Sequence, residues 1–290
     1  MINRYYKKGQ KLDVAGLNEI TVLIDRSETE LSEIGWNSWR PNLDGPPHKH
    51  NDKDQVFYVT DGVGKVKLGD DVFDVKPGDL AYVPAGLVHQ TITTTEVPLS
   101  YMLFNIFSGE SKEGHASFAD HIEKVKMIRK KQAETGNYNV AEEDVLTDIK
   151  PGKFINDIYS GKRYEFGSNS TILLLDRNET NRCELTIVIW PSGNKGALVA
   201  HKEKEQTFFV LSGNGRITVG KETEDVGPGS VVFIPRNTPH TTEAVGSELA
   251  YLCMNGLVDK ESYSSFEEMY NAVAPGRIKR WKAGSTQVGD

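Results

Sequence analysis

The chain has 290 residues, 38% hydrophobic and 26% charged, which is material for two cored domains and not for a disordered chain. Lys and Arg number 34 against 41 Asp and Glu, a net charge of −7 with no basic run, so neither nucleic acid nor an anionic membrane is expected as a partner. Only Cys183 and Cys253 occur, which excludes a disulfide framework and a four-cysteine zinc site. With no apolar stretch at the N-terminus and no window of ~20 apolar residues, the expectation is a cytoplasmic protein.

The chain repeats itself at a shift of 151 positions. VLIDRSETELSE from Val22 lies over LLLDRNETNRCE from Leu173, and the register then runs on without a gap. Trp39 meets Trp190, Gly45 meets Gly196, His50 meets His201, Gln55 meets Gln206, Gly62 meets Gly213, Pro84 meets Pro235 and His89 meets His240. Domains 1–140 and 141–290 are expected, joined near Glu134 to Pro151.

Within a repeat, Gln55 to Thr60 reads as a strand ending in the turn Asp61-Gly62. Lys65 to Leu68 and Val72 to Val75 flank Gly69-Asp70, and Pro77-Gly78-Asp79 opens the strand Leu80 to Val83. Short strands separated by turn chemistry predict an all-β chain of two tandem antiparallel barrels. Helix is expected only at Ser117 to Lys131 and Ser265 to Trp281, the second interrupted at Pro275-Gly276. Asp25-Arg26 and Glu28-Thr29, repeated as Asp176-Arg177 and Glu179-Thr180, read as a structural turn or an inter-domain ion pair. Exposed barrel edges leave a homodimer open.

The seven histidines carry the chemistry. Strand residues i and i+2 share a face, so His48 and His50 can both aim into a barrel. With Gln55 at the start of the following strand and His89 after a later one, they could give three neutral imidazole nitrogens and one amide oxygen to a single divalent cation. Zn, Ni, Fe, Mn and Cu all remain open. In the second half His201, Gln206 and His240 form a possible second site, with Val199 opposite His48. His115 and His121 lie outside the pattern and read as surface residues.

Gly45-Pro46-Pro47-His48-Lys49-His50, with Gln55 and Gly62, resembles the first motif of the cupin superfamily, and Gly78-Asp79 through Pro84, Gly86 and His89 resembles the second. Gly213, Gly229, Pro235 and His240 extend the likeness to the second half, so the chain resembles a bicupin. The resemblance implies jelly-roll (double-stranded β-helix) barrels with metal inside the first. Gln55 stands where the commonest motif has Glu, which leaves the site near its full positive charge and favours Lewis-acid chemistry. The resemblance of the His, His, Gln, His set to that of other cupins implies isomerase or lyase action on a small sugar acid, keto acid or related polar metabolite. An oxygen-dependent dioxygenase and a non-catalytic sugar-binding or sensory cupin are the alternatives. Arg40, on the strand parity of Trp36 and Ser38, is a candidate carboxylate fork, and Tyr82 and Tyr101 are candidate phenols at the barrel wall.

Overall fold

The computed structural model describes residues 1–108, 116–135 and 146–289. Contacts divide the chain into two compact units, one of residues 6–158 and one of residues 1–5 with 159–290. The opening strand β1 (Ile2–Tyr5) therefore belongs to the second unit, where it pairs antiparallel with Ser230–Phe233.

In the first unit the strands are β2 (Gln10–Val14), β3 (Asn18–Ile24), β4 (Ser32–Trp39), β5 (Lys53–Asp61), β6 (Gly64–Leu68), β7 (Asp71–Val75), β8 (Leu80–Val83), β9 (His89–Thr93) and β10 (Leu99–Phe107). Helix α1 (Phe118–Thr135) and a short strand β11 (Lys153–Ile155) follow. The strands form a seven-stranded sheet in the order β11-β8-β5-β10-β4-β3-β2 and a three-stranded sheet β7-β6-β9. The alternation is sharp in β6, where Gly64, Val66 and Leu68 are buried and Lys65 and Lys67 are not. Phe57, Val59, Val66, Ala81 and Leu99 share one hydrophobic core.

The second unit repeats this plan with β12 (Lys162–Glu165), β13 (Ser170–Leu175), β14 (Cys183–Trp190), β15 (Lys204–Ser212), β16 (Gly215–Val219), β17 (Glu222–Val226), β18 (Ser230–Ile234), β19 (His240–Ala244), β20 (Leu249–Leu257) and α2 (Phe266–Lys282). Its sheets are β1-β18-β15-β20-β14-β13-β12 and β17-β16-β19. Both units are antiparallel jelly-roll barrels, and β1 covers the edge of β18 just as β11 covers that of β8. Helix α2 runs through Pro275-Gly276 without a break, against the expected interruption. One missing N–H and one ring clash are tolerated where Phe266, Met269 and Ala274 are buried against the unit. No helix among the described residues is long and apolar enough to cross a membrane.

The repeated glycines have physical reasons. Gly62 and Gly213 sit at φ of +77° and +76°, and a Cβ on either would run into a backbone carbonyl, of Pro98 or of Glu248. At Gly45 and Gly196 a Cβ would strike the indoles of Trp39 and Trp190, at 2.6 Å in each case, which explains why Gly and Trp recur together.

The repeated acidic–basic turn is structural and internal to each unit. Asp25 caps the one-turn helix Arg26–Glu28 through Ser27 N (2.9 Å), and its other oxygen accepts from Phe118 N (2.9 Å) at the start of α1. Asp176 does the same for Phe266 N (3.0 Å) at the start of α2. Arg26 pairs with Glu33 and Arg177 with Glu184, all four fully buried. The turn thereby fixes where each C-terminal helix enters. On α1, Phe118, His121, Ile122, Val125 and Arg129 recur at helical spacing and so face the same cavity.

Candidate metal centre

His48 and His50 lie in the loop after β4, and His89 opens β9. A two-way backbone bridge, His48 N to His89 O (3.0 Å) and His89 N to His48 O (2.8 Å), holds the loop against β9. The ring centroids of the three imidazoles are 4.2 to 5.5 Å apart, and one nitrogen of each lies within 4.8 Å of the other two. Among the described residues, this is the group of three His, Cys, Asp or Glu side chains with metal-holding spacing.

The tautomers follow from the hydrogen bonds. His48 Nδ1 lies 2.9 Å from Pro46 O and His89 Nδ1 lies 3.1 Å from Leu87 O, so each Nδ1 carries the proton and each Nε2 keeps its lone pair. Burial pushes His89 down to about 4, partly offset by its bond to Leu87, and burial likewise holds His48 and His50 well below the usual imidazole range. All three are therefore neutral near pH 7, the state in which imidazole ligates a metal.

Gln55, at the start of β5, completes the set. Its Nε2 donates to Asn105 Oδ1 at 2.8 Å, and Asn105 Nδ2 donates to Glu33 Oε1 at 2.8 Å. A buried carboxylate can only accept, so Glu33 orients Asn105, and Asn105 orients Gln55. The one orientation left turns Gln55 Oε1 away from Asn105, and that buried oxygen has no hydrogen-bond partner; neither has the buried Nε2 of His89. Two orphaned acceptors beside two further neutral imidazoles fit a divalent cation. The relay also accounts for Gln rather than Glu at position 55, because a carboxylate there would set oxygen against Asn105 Oδ1. In metal-free protein, Gln55→Glu is expected to cost about 1–3 kcal/mol of stability, read as a lower urea midpoint, with the new carboxyl taking up a proton. An unchanged midpoint would show that the relay does not constrain this position.

The cavity in front of these donors measures about 60 Å³, and three of its lining residues escaped the sequence reading. His121 is not a surface residue: 12% exposed, it places Nδ1 at 3.1 Å from Glu33 Oε1 and Nε2 at 3.2 Å from Lys53 Nζ. With Nδ1–H donating to Glu33, Nε2 accepts from Lys53. Burial pushes His121 down to about 4, assisted by the Lys53 charge and only partly opposed by Glu33. Lys53 is itself lowered by burial, with Glu33 opposing. Burial alone would raise the Glu33 carboxyl; the His121 hydrogen bond and the Lys53 and Arg26 charges outweigh it and hold it at about 2. Arg129, from α1, lies 5.7 Å from the Trp39 ring centroid, and its buried Nη1 has no partner. Burial lowers it to about 10, so it remains a cation at neutral pH. His115 falls outside the described residues.

Arg40 is a correction. It is exposed and pairs with Asp13 Oδ1 at 3.3 Å, because the inward face of β4 is that of Asn37 and Trp39. Trp36, on Arg40's parity, packs on Tyr6 outside the cavity, 5.7 Å between ring centroids. Tyr82 is also misplaced. It pairs with Val56 on the face of β8 opposite Ala81 and Val83, and so lies outside the cavity. Tyr101 does line the cavity. Its oxygen accepts from Trp39 Nε1 (2.8 Å) and Asn37 Nδ2 (3.0 Å), which leaves its own proton for Thr91 Oγ1 at 3.2 Å.

In the second barrel Val199 bridges His240 as His48 bridges His89. His240 Nδ1 meets Thr238 O at 3.0 Å, and Gln206 Nε2 donates to Asn255 Oδ1 at 2.8 Å. Asn255 Nδ2 in turn donates to Glu184 Oε1 at 2.9 Å, so the amide relay is repeated, and buried Gln206 Oε1 is again without a partner.

The cupin domain family matches residues 38–105 and 185–255, one stretch in each barrel. The chain belongs to the cupin superfamily. It is a bicupin, similar in fold to oxalate decarboxylase of Bacillus subtilis, with a TM-score of 0.61 at 16% identity over 91% of this chain and 78% of that one. That structure was described for its Mn(II) centres. In sequence the bicupin is 36% identical over 70 residues to an uncharacterized protein of Methanocaldococcus jannaschii, 24% of this chain and 56% of that protein. It is 29% identical over 116 residues to a mannose-1-phosphate guanylyltransferase of Salmonella typhimurium, 37% of this chain and 23% of the transferase. The matches thus span about half or less of these curated relatives.

Proposed function

We propose that the first barrel is a metal-dependent catalytic site for a small carboxylic acid, working by isomerase or lyase chemistry. The observation that carries this reading is the meeting of four neutral donors with the Arg129 guanidinium in one cavity of about 60 Å³. A divalent metal held by His48, His50, His89 and Gln55 Oε1 supplies Lewis acidity toward a carbonyl or carboxylate oxygen. Arg129 Nη1 pairs with the carboxylate, its charge undiminished by any acidic side chain lining the cavity among the described residues. Lys53 Nζ, lowered by burial and hydrogen-bonded to His121 Nε2, is the group placed to deliver or take a proton at the substrate, with His121 as its exchange partner. Phe57, Leu103, Phe118 and Ile122 exclude water around them. The manganese of the oxalate decarboxylase and the sugar phosphate in the transferase's name are both compatible with oxygen-rich acids as substrates.

The test is turnover by the metal-loaded protein of keto acids, uronates and small dicarboxylates, followed by NMR with oxygen uptake recorded in parallel. Arg129→Met is expected to keep the metal content and raise KM for the acid roughly 10- to 100-fold. Stoichiometric oxygen consumption would establish the dioxygenase alternative. Binding without turnover would establish the sensory one. A KM indifferent to Arg129 would remove the carboxylate assignment.

A further inference from the structure

The second barrel differs from the first in a one-sided way. At a shift of 148 positions α2 lies over α1, so that Phe266 matches Phe118, Met269 matches His121 and Arg277 matches Arg129. Two imidazoles of the first cavity have thus become apolar, His48 as Val199 and His121 as Met269, while both cations persist as Lys204 and Arg277. The metal-holding set is reduced from four donors to three, with an isopropyl group in the fourth place. What remains is a cavity of about 90 Å³ that no Asp or Glu lines among the described residues.

We propose that this cavity is a metal-independent binding site for a small hydroxy acid, its carboxylate held by Lys204 and Arg277 and its hydroxyl donating to Gln206 Oε1. Lys204, 5% exposed, forms an ion pair with Glu203 Oε1 at 3.6 Å, a separation too long for a hydrogen bond. Arg277 lies 4.8 Å from the Phe166 ring centroid at the cavity wall. The two charges favour an anion, and a carboxylate matches the fork of a guanidinium. The hydroxyl follows from the orphan. Gln206 is 7% exposed, and its Nε2 is committed to Asn255 Oδ1 (2.8 Å) and Cys253 Sγ (3.3 Å). The amide cannot flip, because Asn255 Nδ2 is held by Glu184, so Oε1 faces the cavity as an acceptor without a donor. Burial pushes the Cys253 thiol up to about 12, so it adds no negative charge. His240, with Nδ1 directed at Thr238 O, offers Nε2 as a second acceptor for a further hydroxyl. The volume is below the ~150 Å³ that houses benzene in an engineered cavity, which suits an acid of about three carbons.

The site is tested on the full chain in excess chelator, so that the first barrel's metal plays no part and the outcome is independent of the function assigned to that barrel. Calorimetric titration with lactate or glycerate is expected to show one saturable site per chain. Propionate, which lacks the hydroxyl, and 1,2-propanediol, which lacks the carboxylate, are each expected to bind at least tenfold more weakly. Arg277→Gln and Lys204→Met, both checked for a native melting transition, should each weaken lactate at least tenfold, while replacement of an exposed arginine of the same barrel, Arg216→Gln, should not. If one variant fails to fold, the other carries the test. Absence of saturable binding, binding that survives both replacements, or metal titration that fills two sites per chain with loss of lactate binding would overturn the assignment.

Discussion

His89→Ala is expected to reduce the divalent metal in the purified bicupin from about one equivalent to near zero, whereas His240→Ala leaves it almost unchanged. Removing His89 deletes one of four donors and also the backbone-anchored ring that abuts His48, at 4.2 Å between centroids. Loss of an outer-shell partner already costs metal sites about 10- to 100-fold in affinity, and loss of a direct ligand exceeds that. The second barrel starts with Val199 in place of the fourth donor, so His240 has little occupancy to lose. Elemental analysis of the wild type and both variants decides the matter. Two equivalents in the wild type, falling to one in either variant, would show that the barrels bind metal equally. Loss in His240→Ala alone would reverse the assignment.

The part of the site legible in the sequence is the part that strands and turns impose. His48, His50, Gln55 and His89 sit in tight loops and at strand starts bounded by Gly and Pro, and the duplicated register made those positions stand out. What the sequence left ambiguous was which face of a strand turns inward. Period-two alternation groups Trp36 with Arg40 and Asn37 with Trp39, but it does not say which pair meets the core. A large aromatic side chain on each face made the choice undetermined, and packing of Trp36 on Tyr6 settles it against Arg40. The helix residues were lost for another reason. Arg129 and His121 reach the cavity from a helix about 30 to 40 residues beyond the last motif, and nothing local marks them out from the other polar residues of α1. Their signal lay in the repeat itself, where a shift of 148 sets Arg129 over Arg277 and His121 over Met269. Lys53, two residues before Gln55, belongs to no motif of its own; only the fold reveals that it is 1% exposed beside Glu33.

Glu33 is the hub on which this polar cluster depends, and Glu33→Gln is expected to cost about 3–5 kcal/mol at pH 7. Its two oxygens take Arg26 Nε at 2.8 Å, Asn105 Nδ2 at 2.8 Å and His121 Nδ1 at 3.1 Å. A neutral amide would remove the carboxylate charge that pairs with the fully buried Arg26. The pH dependence separates this account from generic loss of packing. Glu33 titrates at about 2 in the folded protein against 4.5 in the unfolded chain. The unfolded chain therefore binds the proton first as pH falls. The carboxylate's contribution, on the order of 3 kcal/mol, is complete above pH 4.5 and is lost between about 4.5 and 2. His121 acts at higher pH and in the same direction. Its pKa is about 4 when folded and 6.5 when unfolded, so acidification from 6.5 to 4 protonates the unfolded chain first and removes stability. Urea unfolding of chelator-treated protein should thus weaken steadily from pH 6.5 downward in the wild type. The difference between wild type and Glu33→Gln should be greatest above pH 4.5 and shrink below it, as the wild-type carboxyl gains its proton and the two proteins become electrostatically alike. A difference that stays constant from pH 7 to pH 3 would mean that Glu33 stabilises the barrel by shape and not by charge.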